Sequence, residues 1–215
     1  IVSASVTSNS GSEPTVANLT IGGSNTIFMT ITVTGVVTFN NSSSNGSTIT
    51  GNCTFNDNSS NSHGFIFGNC DFHGTSSNTY ASAIIGNCTF YDYSYNDNYA
   101  GYSTITGDCT FNNTTYNNGS ITGDCTFNDT TYNNGSITGD VIFNSSSYNH
   151  DTYGVIYGGD VTFNNTTYNN GFIYSGNVIF NTNSYNASSG VLSCNSVVFN
   201  DYSYNGSIQN SSADI

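Results

Sequence analysis

The chain has 215 residues and a formal charge of −13, with thirteen acidic residues and no Lys or Arg. Lacking any such cation, it offers nothing favourable to nucleic acid or to an anionic membrane surface. It contains no apolar run long enough to read as a transmembrane helix.

Residues 1–20, IVSASVTSNSGSEPTVANLT, read as a polar, β-prone arm that starts without Met, as a processed chain would. In it Val2, Ala4 and Val6 alternate with Ile1, Ser3, Ser5 and Thr7, which gives one apolar side. The next segment, TIFMTITVTG, predicts a strand with Ile27, Met29, Ile31 and Val33 inward. Residues 1–34 are therefore expected to serve as an assembly or capping segment.

From residue 35 to 206 the sequence is a repeat. Coils begin at Gly35, Gly51, Gly68, Gly86, Gly107, Gly123, Gly139, Gly159, Gly176 and Asn195, spaced 16 to 21 residues apart. Two neighbours, GDCTFNNTTYNNGSIT (107–122) and GDCTFNDTTYNNGSIT (123–138), differ only at Asn113 against Asp129. Four places after each start stands Phe, eight places after stands Ser or Thr, and ten places after stands Asn; two places after is Val or Cys. Alternate residues within a coil are small or apolar, apart from the Asn, and the others are polar, which is the period of a half-buried strand. One coil cannot bury its own inner face, so copies must stack.

The expectation is an all-β, single-stranded parallel β-solenoid of about ten coils, with an N-terminal β arm and a tail at 207–215. Phe111, Phe127 and Phe143 should form one buried ladder, and Asn117, Asn133 and Asn149 another, each amide donating to its neighbour. Asn112, Asn128, Asn144 and Asn164 suit a left-handed corner.

The pattern GxVxFNxxSxNxGxVxG resembles the β-helix repeats of bacterial surface proteins, of the autotransporter and polymorphic outer-membrane type, and those of extracellular fibres. That resemblance implies adhesion or surface structure.

Several columns are candidate sites. Cys53, Cys70, Cys88, Cys109 and Cys125 share one inward column that holds Val in other coils. They read as buried thiols, with inter-coil disulfides or a metal stripe as alternatives. Asp108, Asp124, Asp140 and Asp160 form an outward stripe, either solvated or attracting Ca²⁺. His63, His73 and His150 share no column and read as surface substitutions. Eighteen N-x-[S/T] sequons occur. Asn41, Asn52, Asn87, Asn113, Asn118, Asn128, Asn134, Asn144 and Asn165 are the glycosylation candidates, placed outward or at corners. The pairs Thr48/Thr50, Thr104/Thr106, Ser120/Thr122 and Ser136/Thr138 make hydroxyl columns of the kind an ice-binding solenoid presents, but Phe65/Phe67 and Val155/Tyr157 interrupt them. An outward Tyr column could stack on sugar rings or a neighbouring molecule.

No clustered carboxylates and no basic residue are available to stabilise developing charge, so catalysis is not expected. The expected function is a non-catalytic extracellular subunit of a head-to-tail surface fibre, needing no cofactor and joined through residues 1–20 and the last coil. The alternative is a monomeric surface adhesin or carbohydrate-binding solenoid.

Overall fold

The computed structural model describes residues 15–98 and 103–206. Among these, each full coil contributes three short strands, as in Cys125–Phe127, Tyr132–Asn133 and Ser136–Thr138. They are called here the Phe, Asn and Ile rows after their inward residues. The coils stack in parallel and in register: Cys109, Thr110 and Phe111 lie against Cys125, Thr126 and Phe127, and Ile121 against Ile137. The Phe and Ile rows form an 18-stranded sheet, and the Asn row forms an 11-stranded sheet with one strand per turn. This is an all-β parallel solenoid of eleven turns, one more than the repeat predicts.

The extra turn comes from residues assigned to the arm and to the entry strand, and that strand, expected to run unbroken through Ile27, Met29, Ile31 and Val33, ends at Ile27 and resumes at Ile31. Thr15–Val16 and Leu19–Ile21 pair with Ile31–Phe39, and Thr26–Ile27 pairs with Ser44–Asn45. Ile21 therefore occupies the Phe column and Ile27 the Asn column. Sequence alignment on Phe and Asn misses this turn because aliphatic side chains replace both. The apolar face at Ile1–Thr7 lies outside the described residues, as does the tail at 207–215.

The core is the two expected ladders. Ten Phe rings from Phe39 to Phe199 stack with centroids 4.6–4.9 Å apart. All but the last are fully buried. In the Asn row, each Nδ2 donates to Oδ1 of the next coil, from Asn45 to Asn205, at 2.7–3.0 Å. At the N-terminal end Asn45 Oδ1 accepts the backbone N–H of Ser47, and the aliphatic Ile27 beneath needs no partner. The first turn thus closes the amide ladder without leaving a buried polar group unmet.

The corner differs by one residue from the expectation. Positive φ falls on Asn113, Asp129, Ser145 and Asn165, at 60–65°, and not on Asn112, Asn128, Asn144 and Asn164. Those preceding Asn residues still follow the strand direction, half-buried, and build a second amide ladder. In it Asn128 Nδ2 donates to Asn112 Oδ1, Asn144 to Asn128 and Asn164 to Asn144, each at 3.0 Å. Its donors point toward the N-terminal end, opposite to those of the inner ladder. The corner also explains the difference between the twin coils: Asn and Asp both tolerate the left-handed region. Asp129 Oδ2 additionally accepts the N–H of Asn113 at 3.1 Å, as Asp57 does for Asn41 and Asp92 for Gly74. Glycine is required at the other corner: Gly123 has φ of 150°, and a Cβ there would lie 2.3 Å from the Gly107 carbonyl oxygen.

Candidate functional site

The five column cysteines are buried free thiols, and Cys194 is a half-exposed free thiol outside the column. Each column Sγ points back at the Gly carbonyl two residues earlier, at 3.8–3.9 Å. Burial pushes the Cys70, Cys88 and Cys125 thiols up, which keeps them protonated and unreactive.

The Asp stripe is a hydrogen-bonded spine. Asp108 Oδ1 accepts the N–H of Asp124, Asp124 that of Asp140, Asp140 that of Asp160, and Asp160 that of Asn177, at 2.7–3.0 Å. Asn52, Asn69 and Asn87 do the same in earlier coils, so amide and carboxylate are interchangeable here. Among the described residues no three His, Cys, Asp or Glu side chains are grouped to hold a metal ion.

Two histidines belong to stacks. His73 occupies the corner-Asn column with Tyr91, rings 4.7 Å apart, and His63 stacks on Tyr80 at 5.5 Å. His150 pairs with Asp151 at 2.7 Å. The pairing was legible in the sequence, since His73 and Tyr91 stand five places, and His63 and Tyr80 twelve places, after their coil starts, but a histidine opposite a tyrosine does not announce itself as one column.

The sequon candidates divide by environment. Asn41, Asn113 and Asn165 are exposed left-handed corners, and Asn52 and Asn87 are exposed on the spine. Asn128 and Asn144 spend their Nδ2 atoms on the corner ladder, and Asn134 donates to Asn118 Oδ1 at 3.0 Å. Asn118 in turn donates to Asp97 Oδ1 at 3.3 Å. These four are half-buried and poorly placed to carry a glycan.

On the outer surface, the hydroxyl columns Thr104–Ser120–Ser136 and Thr106–Thr122–Thr138 are in register. Thr89, Thr110 and Thr126 add a parallel column in the Phe row that the sequence reading missed. Ala83/Ile85 bound the first two at one end and Val155/Tyr157 at the other, and Phe65/Phe67 lie one coil further on, between Ala83/Ile85 and Thr48/Thr50, so the interruption is one coil wider than expected. The Tyr column stacks from Tyr95 to Tyr204 with centroids 4.8–5.4 Å apart.

An open groove of about 520 Å³ lies along the Asn row's outer edge, lined by Asp97, Asn118, Ser120, Asn134, Ser136 and Tyr153. No helix among the described residues is long and apolar enough to cross a membrane. Comparison with models of known protein families, with curated proteins and with solved structures finds no match.

Proposed function

We propose that the protein is a non-catalytic structural rod of a microbial surface, a subunit that joins end to end in an extracellular fibre. The observation that carries this reading is the asymmetry of the two ends. At the first turn, Ile21 and Ile27 close both core ladders. At the last described turn the ladders continue, and Val191, Val198, Phe199 and Tyr204 are 37–54% exposed. Among the described residues this end presents a strand edge and one face of a Phe stack, which are a template for association. The repeat's resemblance to surface solenoids and its exposed sequons at Asn41, Asn113 and Asn165 support an extracellular setting. With a charge of −13 on each subunit, association should strengthen as salt or divalent cations screen the repulsion.

Residues 15–20 belong to the first turn, so the arm available for coupling is 1–14. Negative-stain microscopy of the full chain in raised salt should show fibres. A chain lacking residues 1–14 should keep native β-content by circular dichroism and appear as isolated rods. Normal fibres from the shortened chain would remove the arm from the contact, and isolated rods from the full chain would favour the monomeric adhesin.

A further inference from the structure

The two nearly identical 16-residue coils lie between two longer ones. The coil from Gly86 takes 21 residues and the coil from Gly139 takes 20. In both, residues are inserted immediately after the Asn row, between Asn96 and Thr104 and between Asn149 and Val155. The described residues that follow the Asn row in the two coils, 97–98 and 150–154, therefore lie on the same edge of the rod, three coil steps or about 14 Å apart. The short coils form the floor between them, so that two walls and a floor make the 520 Å³ groove, within the usual size of small-molecule sites.

The lining is of one chemical kind. The floor offers the Asn118 and Asn134 amides and the Ser120 and Ser136 hydroxyls; Asp97 stands on one wall and Tyr153, 66% exposed, on the other. The amides are already oriented, since Asn134 donates to Asn118 and Asn118 to Asp97. That relay leaves its terminal acceptor unmet: Asn134 Oδ1 is buried with no hydrogen-bond partner. No Lys or Arg exists anywhere in the chain to hold an anion. An apolar ligand would strand the amides, and one carboxylate is too few for a metal ion. Hydroxyl-rich rings with an apolar face match both the polar floor and the exposed tyrosine.

We infer that the groove between the 97–98 and 150–154 segments binds a neutral oligosaccharide, with Tyr153 as the stacking platform and Asn118, Asn134, Ser120 and Ser136 as the hydroxyl-reading floor. The site goes beyond the fibre reading and is independent of assembly, since it lies on the side of the rod.

Saturation-transfer NMR on the full chain with neutral trisaccharides of glucose, galactose, mannose and N-acetylglucosamine tests it, with a trigalacturonate and a trilysine peptide as charged controls. At least one neutral trisaccharide should receive saturation, and trigalacturonate none. Tyr153→Ala, in an exposed segment outside the core, should weaken that binding about tenfold, the scale of one lost aromatic contact. Asn118→Asp should weaken it too, by replacing the bridging amide donor with a second carboxylate beside Asp97. Failure of every neutral sugar, binding only of trilysine, or binding unchanged in Tyr153→Ala would each overturn the inference. None of these results depends on whether fibres form.

Discussion

Each coil carries a buried Ser or Thr two residues before its ladder Asn, and the choice between them has a consequence at single-residue scale. Ser147 Oγ donates to the carbonyls of Phe127 and Asn144, at 3.1 and 2.8 Å. Ser94 does the same to Phe72 and Tyr91. In the same column Thr115, Thr131 and Thr167 have buried hydroxyls with no partner. The β-branched side chain is stiff at χ1, and the methyl occupies space that Ser leaves free. Thr131→Ser should therefore stabilise the protein by about 1 kcal/mol, because meeting a buried hydroxyl outweighs one lost methyl. Ser147→Ala should destabilise by about the same amount. Urea-unfolding midpoints check both signs. A lower midpoint for Thr131→Ser would mean that the methyl dominates.

At the scale of one strand row, the tyrosines couple stability to pH. Burial pushes the hydroxyls of Tyr116, Tyr132, Tyr148 and Tyr168 up, and neighbouring tyrosines or nearby Asp97 and Asp151 add to it. An unfolded phenol ionises near pH 10, so above that the unfolded chain binds fewer protons than the folded one. The contribution is complete below about pH 10 and is lost as pH rises from there through the raised folded values. The Cys70, Cys88 and Cys125 thiols, which burial also pushes up, act with the same sign, beginning near pH 8.5, while Cys109, lowered to about 6 by hydrogen bonds from its column neighbours, acts with the opposite sign. Unfolding midpoints taken from pH 8 to pH 11.5 should fall, and Tyr116→Phe should flatten the part of the fall above pH 10. An equal slope in wild type and variant would show that the thiols alone carry it. The row itself was legible in the sequence, as Tyr at a fixed place in seven coils. Its half-burial was not, because outward alternation does not say how closely neighbouring rings cover one another.

For the whole molecule, stacking makes neighbouring turns interchangeable. Deleting residues 107–122 joins Thr106 to Gly123, the same Thr–Gly junction that Thr122 and Gly123 form in the intact chain. The product should fold with unchanged strand signature and a rod shorter by one step, about 4.8 Å, in small-angle scattering. Collapse of the fold would mean that this coil does more than extend the stack. The same deletion brings the two groove walls one step closer, so the side-on site should shrink while the core ladders persist.

The sequence by itself determined the stacking axis, the register and the inward set. Phe, Asn and Ser/Thr recur at fixed distances in every coil, and a one-residue slip would turn all of them to solvent. It also fixed that the Cys column is equivalent to Val, since the two exchange from coil to coil. Three features were decided only in three dimensions. The first turn at 15–27 carries Leu19, Ile21 and Ile27 in the ladder columns, and nothing but pairing with 31–45 reveals it. The left-handed corner sits at Asn113 and not Asn112, as it sits at Gly74 after His73 and at Asp92 after Tyr91, so the turn geometry and not the side chain before it sets the place. The groove exists because residues 97–98 and 150–154, separated by more than forty residues of chain, lie on one edge of the rod with the twin coils between them. Periodicity encodes what each turn shares with its neighbours. Where turns differ in length, only the stacked rod brings the differences side by side.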